Sequence, residues 1–487
     1  MNMKKETTFW SFMRSREQLV SLAVLTALFA AVAVLMRIHY PMPFVFPDSY
    51  TYLSTASGDY FDIYRPNGYP HWLQFLHGIS PTLGFLFAVN FVLYALSSLL
   101  LIFSARYVLG IRNRWLFWAM ALCAVLSPRL VFCTNFMMSD GLFAVLASVL
   151  LTACLWMVHG RSWLWAAVSL ATMWFMCSLR YSGLFFVPAL VVAFFASFSR
   201  SRLKVAPWLA AVLPLLLAVV FYSTTKKEYT KNTHVEVFSG FGGWQKLNNA
   251  MVLMPEAKEL SPLDLKNNVR GLHKFMQSMP DSLFDSRYTM QTDYMWSTTL
   301  PCKQYVYYMC QTTGSPYGHQ WVASSKVFGD YANQLVAKYP FRYLTRFYLP
   351  SLWSNTRFHN FREETITVED KGLFGKWYGT DFETYDHECH FFGAVDKVRP
   401  VAQTIYWVCA ALAMVWFFVT MRRRNFADRA WLGLFVMLLS FIIFIGGQSA
   451  GSPCTTWRYS LPFYQGSIVF MFACLERLLF RPKGGMR

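Results

Sequence analysis

Long apolar runs separated by short clusters of Arg and Lys repeat along most of the chain. The runs lie near 18–37, 82–105, 115–134, 140–158, 163–179, 182–198, 206–223, 400–420, 430–447 and 459–476. A helix needs roughly 20 mostly apolar residues to cross a hydrocarbon core of about 30 Å. Lipid offers no partner to a free backbone N–H or C=O, so each span must be helical. The pattern therefore predicts an all-α polytopic membrane protein of about ten transmembrane helices. Composition agrees, with 55% of residues hydrophobic and 14% charged, against roughly 25% charged in an ordinary soluble domain. The first run is too long for the apolar core of a signal peptide and has no small-residue cleavage site, so it is expected to stay as an anchor.

Lys and Arg accumulate in short cytoplasmic loops. Lys4, Lys5, Arg14 and Arg16 precede the first run; Arg106, Arg112 and Arg114, then Arg161, then Arg200, Arg202 and Lys204 mark alternate connections. Arg422, Arg423, Arg424 and Arg429 continue the series, and Arg477, Arg481, Lys483 and Arg487 end it. Both termini are thus expected to be cytoplasmic. Topology and anionic headgroups account for much of the +18 net charge, which leaves no reason to invoke nucleic acid. No Asn-x-Ser/Thr sequon occurs, which points to a bacterial inner membrane rather than a secretory-pathway lumen.

Three divisions follow: an N-terminal membrane domain over 1–223, an extracytoplasmic domain over 224–399 and a C-terminal membrane domain over 400–487. The first outer loop, 38–81, reads as two short interfacial helices. One follows Pro47 and stops at Gly58; the other has Pro70 in its first turn, an apolar cluster of Trp72, Leu73, Phe75 and Leu76, and Gly78 at its end. The larger outer segment has mixed charge, a helix expected over 322–338, and a basic aromatic stretch from Lys338 to Tyr348 that reads as interfacial. The ten cysteines are scattered, and a Cys302–Cys310 bridge is a candidate in an oxidising compartment. Gly240, Gly242 and Gly243 lack the Lys-Ser/Thr of a phosphate loop and read as a turn. Asp386-His387-Glu388-Cys389-His390 has metal-binding residue types but no second cluster to complete a site. No metal site is assigned, and dependence on a divalent ion is left undetermined.

Asp48, in Pro47-Asp48-Ser49-Tyr50, sits where an outer loop meets the membrane. An Asp there can cap a helix, but Ser49 can cap as well, so an acid is not demanded by capping alone. Asp140, in Ser139-Asp140-Gly141, opens the fourth run at the same outer level. Arg65, Arg129, Arg180 and Arg458 sit at outer positions and break the charge rule. Each could be an interfacial anchor; four facing one cavity would form an anion site, and the forked guanidinium suits phosphate oxygens.

In order along the chain stand a first-loop Asp, then Tyr64-Arg65-Pro66-Asn67-Gly68-Tyr69-Pro70, then Ser127-Pro128 and an acid opening the fourth run. Arg180-Tyr181-Ser182-Gly183-Leu184 with Pro188, and Arg458-Tyr459-Ser460-Leu461-Pro462, follow. This set resembles the GT-C class of polytopic glycosyltransferases, near protein O-mannosyltransferases and lipid A aminoarabinose transferases. The likeness covers roughly 1–223 and 400–487. It implies an inverting transferase that moves sugar from a polyprenyl-phosphate donor to a glycolipid, glycan or protein acceptor at the extracytoplasmic face. Asp48 would act on the acceptor as base, with Asp140 as a second acid; Arg65, Arg180, Arg458 and Tyr459 would hold the donor phosphate. Tyr52, Tyr69, His71 and Arg129 are candidate substrate contacts. Several relatives carry an acid or Lys where this chain has Asn67, Gly68 and His71, and the outer domain matches no family domain. Two alternatives stay open. An O-antigen ligase- or polymerase-type enzyme would place its chemistry in the large outer loop, near His387. A lipid-linked-glycan flippase or other transporter would show mid-span polar residues and inverted repeats. Oligomeric state is not addressed by the sequence.

Overall fold

The computed structural model describes residues 8–58, 60–160, 162–199, 201–286, 292–357, 365–367, 371–379, 384–386, 390–421, 428–452 and 457–480. Lys4, Lys5, Arg161, Arg200, Arg422, Arg423, Arg424, Arg481, Lys483 and Arg487 of the basic series lie outside the described residues, as do His387, Glu388 and Cys389 of the candidate metal cluster.

Among the described residues, eight helices are long and apolar enough to cross a membrane: Arg16–His39, Leu83–Val108, Arg114–Cys133, Ser139–Gly160, Tyr181–Phe198, Ala206–Thr233, Lys397–Met421 and Arg429–Gly451. The chain is a multi-pass membrane protein. The other two apolar runs are also helical. Trp163–Leu179 has only 17 residues, and Leu461–Leu479 carries Glu476 and Arg477 in its last turns. The third span is broken after Val125 and resumes at Pro128, where a ring without an N–H is tolerated in a first helical turn. The divisions at 223 and 399 both fall inside helices, Ala206–Thr233 and His390–Met421.

Basic helix ends gather at one end of the bundle and are tied to neighbouring segments there. Arg106 reaches Glu17 at 2.5 Å and Gln18 at 2.8 Å. Arg477 donates to the Leu109 carbonyl at 2.6 Å, and Glu476 accepts the N–H of Arg112 at 3.1 Å.

At the opposite end, the first loop forms helices Pro47–Ala56 and Gly68–Ile79. Gly58 follows the first with φ +85°, a conformation that favours glycine. The second runs one residue past Gly78. Gly68 begins it against the end of Trp163–Leu179: a Cβ there would lie 2.4 Å from the Ser178 carbonyl oxygen. Only glycine lets the loop come that close to Arg180.

Among the described residues, the outer region is helical apart from an antiparallel pair of Thr365–Thr367 with Thr384–Asp386. The expected helix over 322–338 is observed as Tyr317–Lys338. Gly243 opens helix Gly242–Ala250 against it, since a Cβ would meet the Ser325 carbonyl oxygen at 1.6 Å. This contact stacks Trp244 on Trp321 with centroids 3.7 Å apart. The basic aromatic stretch continues as short helical turns, with a π turn over Leu344–Tyr348. Arg342 and Arg346 both pair with Glu256, so they serve the outer region's own structure.

The Cys302–Cys310 bridge does not form. Both residues are free and lie on one helix, Pro301–Thr313. Their separation along the axis is about 12 Å by the helical rise, beyond the roughly 7 Å that a disulfide tolerates between Cα atoms.

Candidate active site

The site forms where five segments meet. Phe44 makes a parallel bridge with Phe136, its N–H donating to the Asn135 carbonyl at 2.9 Å. The Asn135 amide holds the Met42 carbonyl at 2.8 Å. Ser49 is bonded on two sides. Its hydroxyl accepts the Phe46 N–H at 3.0 Å and donates to the Met137 carbonyl at 2.8 Å. Ser49 therefore ties down the helix start, and the Asp48 carboxylate points elsewhere, to Arg65 at 2.5 Å.

From there acids and arginines alternate. Arg65 bonds Asp48 and, at 3.9 Å, neighbours Asp62. Arg180 pairs with Asp140. Arg458 stands between the two halves, 3.9 Å from Asp48 and 3.9 Å from Asp140. That separation is too long for a hydrogen bond. Among the described residues the Arg458 guanidinium donates to no oxygen; its one close polar neighbour is the Met138 sulfur at 2.7 Å. Tyr459 lies beneath both arginines, its ring 4.8 Å from Arg180 and 5.7 Å from Arg458. Tyr52 is buried, its hydroxyl 3.2 Å from the Ser139 hydroxyl. Burial pushes the Tyr52 phenol up to about 12, so it stays a hydrogen-bond donor at neutral pH.

Asp62 is a member that sequence reasoning passed over. It is fully buried, and its Oδ1 accepts the N–H of Tyr64 at 2.7 Å and of Arg65 at 3.2 Å. Burial pushes its carboxyl up to about 6, against the opposing pull of Arg65. It positions Arg65 by fixing the turn that carries it. An Asp two residues before a loop Tyr-Arg is an Asx-turn signal, and that was the available cue.

Asp48, Tyr52, Arg65, Arg180, Arg458 and Tyr459 form the floor of a cavity of about 300 Å³, and Tyr64, Phe241 and Trp296 form an aromatic wall of it. Trp296 stacks on Trp321 at 5.7 Å and 21°, yet is 43% exposed. Behind it Lys303 is buried against four rings, 4.5 Å from Trp321 and 5.8 Å from Trp296, and hydrogen-bonds Tyr317. Burial pulls that ammonium down to about 8. Gln245, Gln448 and Ser452 supply amide and hydroxyl groups between floor and wall.

Of the residues singled out from sequence, Asp48, Tyr52, Arg65, Arg180, Arg458 and Tyr459 line this cavity. Asp140 lies just beneath, 2% exposed. Three do not reach it. Tyr69 is buried core under Tyr52, with ring centroids 4.9 Å apart. His71 sits on the exposed side of its helix. Arg129 opens onto a separate cavity. Among the described residues no three His, Cys, Asp or Glu side chains group as metal ligands.

No family model matches the chain, and no curated protein matches it. A solved structure resembles it: the archaeal oligosaccharyltransferase AglB from Archaeoglobus fulgidus, in complex with an inhibitory peptide and a dolichol-phosphate. The identity is 10% and the TM-score 0.41, covering 93% of this chain and 50% of that one. The chain thus spans about half the length of that protein.

Proposed function

We propose that this protein is an inverting membrane glycosyltransferase of GT-C type, taking sugar from a polyprenyl-phosphate donor at the extracytoplasmic face. The observation that carries the reading is Arg458, suspended between Asp48 and Asp140 with its N–H groups unspent on oxygen. A phosphate entering the cavity finds these donors beside Arg180 and Arg65. Because charge grows on the leaving phosphate as the glycosidic bond breaks, donors placed there stabilise the transition state more than the ground state.

Asp48 is the base. Its side chain is 26% exposed, open to the cavity, whereas Asp140 is sealed beneath. An acceptor hydroxyl or amine transfers its proton to the Asp48 carboxylate as it attacks the anomeric carbon. Direct displacement inverts that carbon. The sugar ring lies against Trp296 and Phe241, whose flat apolar faces match its C–H face, while its hydroxyls meet Gln245, Gln448 and Ser452. The acceptor is a glycolipid, glycan or protein of the cell envelope.

The test is mass spectrometry of envelope glycans and glycolipids from a deletion strain, complemented with wild type or Asp48→Asn at equal protein level. A sugar that disappears on deletion and returns only with wild type supports the reading and identifies the acceptor. Full restoration by Asp48→Asn removes Asp48 from the chemistry and moves attention to the large outer segment.

A further inference from the structure

Arg129 borders a second cavity, of about 110 Å³, with Asn355, Arg357, Trp407, Ser460 and Tyr464. We propose that it holds the phosphate headgroup of an anionic membrane lipid, a site separate from the transfer cavity and independent of the transferase reading.

Two observations point to a polar ligand. The Asn355 side-chain oxygen and the Trp407 indole N–H are both buried and, among the described residues, have no hydrogen-bond partner. Asn355 is 2% exposed, and its amide nitrogen is already committed to the Ser449 hydroxyl at 3.0 Å. A buried acceptor and a buried donor left open on one cavity cost stability unless something fills them. The charge around them decides what fits. Arg129 is 6% exposed, with its guanidinium 5.9 Å over the Tyr464 ring. Arg357 lies 4.8 Å over Trp353. The described lining holds these two arginines and no carboxylate. Guanidinium and indole N–H groups suit phosphate oxygens, and the Asn355 oxygen suits a hydroxyl of the headgroup.

A lipid is favoured over a free anion by the helix that closes the cavity. Tyr406, Trp407 and Ala410 line it, while Ile405, Val408 and Leu412 of the same helix are 58%, 54% and 47% exposed. That apolar surface is where acyl chains would lie once the headgroup is seated. The volume is roughly that of three or four waters, enough for a phosphate and too little for a sugar beside it. The two cavities share one wall: Arg458 and Tyr459 face the first, Ser460 and Tyr464 the second.

Native mass spectrometry of the full chain, released from nanodiscs of mixed phosphatidylglycerol and phosphatidylcholine, reads the site directly. Wild type is expected to retain phosphatidylglycerol over phosphatidylcholine by about tenfold. Trp407→Phe, which removes the indole N–H and keeps a ring, should reduce that preference several-fold, and Arg129→Gln should abolish it. Arg458→Gln should leave it unchanged. Equal retention of the two lipids, an unchanged preference in Trp407→Phe, or binding of inorganic phosphate alone each overturns the proposal. Thermal midpoints measured alongside confirm that Trp407→Phe remains folded.

Discussion

The floor and the aromatic wall of the large cavity hold their shape by opposite means. The floor is a chain of charges from five segments, with Arg65 and Arg180 each fixed by a carboxylate and Arg458 held between two. The wall is a stack of rings held mainly by surface burial, with the Trp244 indole N–H bonded to the Trp321 carbonyl at 3.0 Å at its base. In the sealed part of the floor, where Arg180 meets Asp140, a side chain is irreplaceable, because its loss strands a partner charge away from water. In the wall a ring can be exchanged for another ring with modest loss. Under the proposed function chemistry falls to the floor and substrate fit to the wall, and substitutions on the two sides test that division.

The largest expected effect is on activity without a matching loss of fold. Asp48→Asn should lower sugar transfer by roughly 10²- to 10⁴-fold, the range for a lost general base. Its thermal midpoint should change little, because the Asp48–Arg65 pair is partly solvated and such pairs contribute at most about 1 kcal/mol. Transfer is read from the glycan mass spectra and stability from differential scanning fluorimetry in detergent. A large drop in midpoint would make Asp48 structural.

Arg180→Gln should behave the other way. Asp140 is 2% exposed and, among the described residues, would keep only Arg458 as a charge partner, at 3.9 Å. Removing one partner of a buried pair destabilises by about 3–5 kcal/mol. Restoring neutrality with Asp140→Asn in the same chain should recover part of that loss. Denaturant titration of the single and double variants measures both, and additive losses would contradict the account.

Asp62 sets a pH signature. Its carboxyl is raised in the fold to about 6 from 3.8, so between those values the folded state binds more protons than the unfolded one. Stability therefore falls as pH rises from about 4 to 6 and levels above that, by at most about 3 kcal/mol for a shift of this size. Midpoints measured from pH 4 to pH 7 should show this fall in wild type, and Asp62→Asn should flatten it. A fall of equal depth in Asp62→Asn assigns the slope to other groups.

The same contrast explains what the sequence made legible. Arg65, Arg180 and Arg458 stand out because cations at the outer ends of apolar runs violate the charge pattern around them, and the structure brings all three together. The apolar runs were legible for the same reason, each framed by charge. Asp62 has no such contrast, since a loop acid is ordinary until its burial is known. The wall was invisible because aromatics make up 18% of the chain, and Tyr64, Phe241 and Trp296 converge from three distant segments. Tyr69 and His71 misled through proximity in sequence: beside Arg65 in the loop, they fall on other faces of a helix whose direction depends on Gly68 packing against Ser178.

The smallest expected effect tests the wall. Trp296→Ala should weaken binding of a polyprenyl-phosphate hexose by about threefold to tenfold, the scale of one aromatic contact, and leave binding of undecaprenyl phosphate unchanged. Trp296→Phe should restore most of the loss, since it returns a flat apolar face. Because Trp296 is 43% exposed, neither change should cost much stability. Competition binding with the two lipids separates the outcomes. If Trp296→Ala weakens both lipids equally, the ring supports the cavity as a whole and sugar recognition lies elsewhere. If only the sugar-bearing lipid suffers, the wall selects the sugar while the floor, untouched, holds the phosphate.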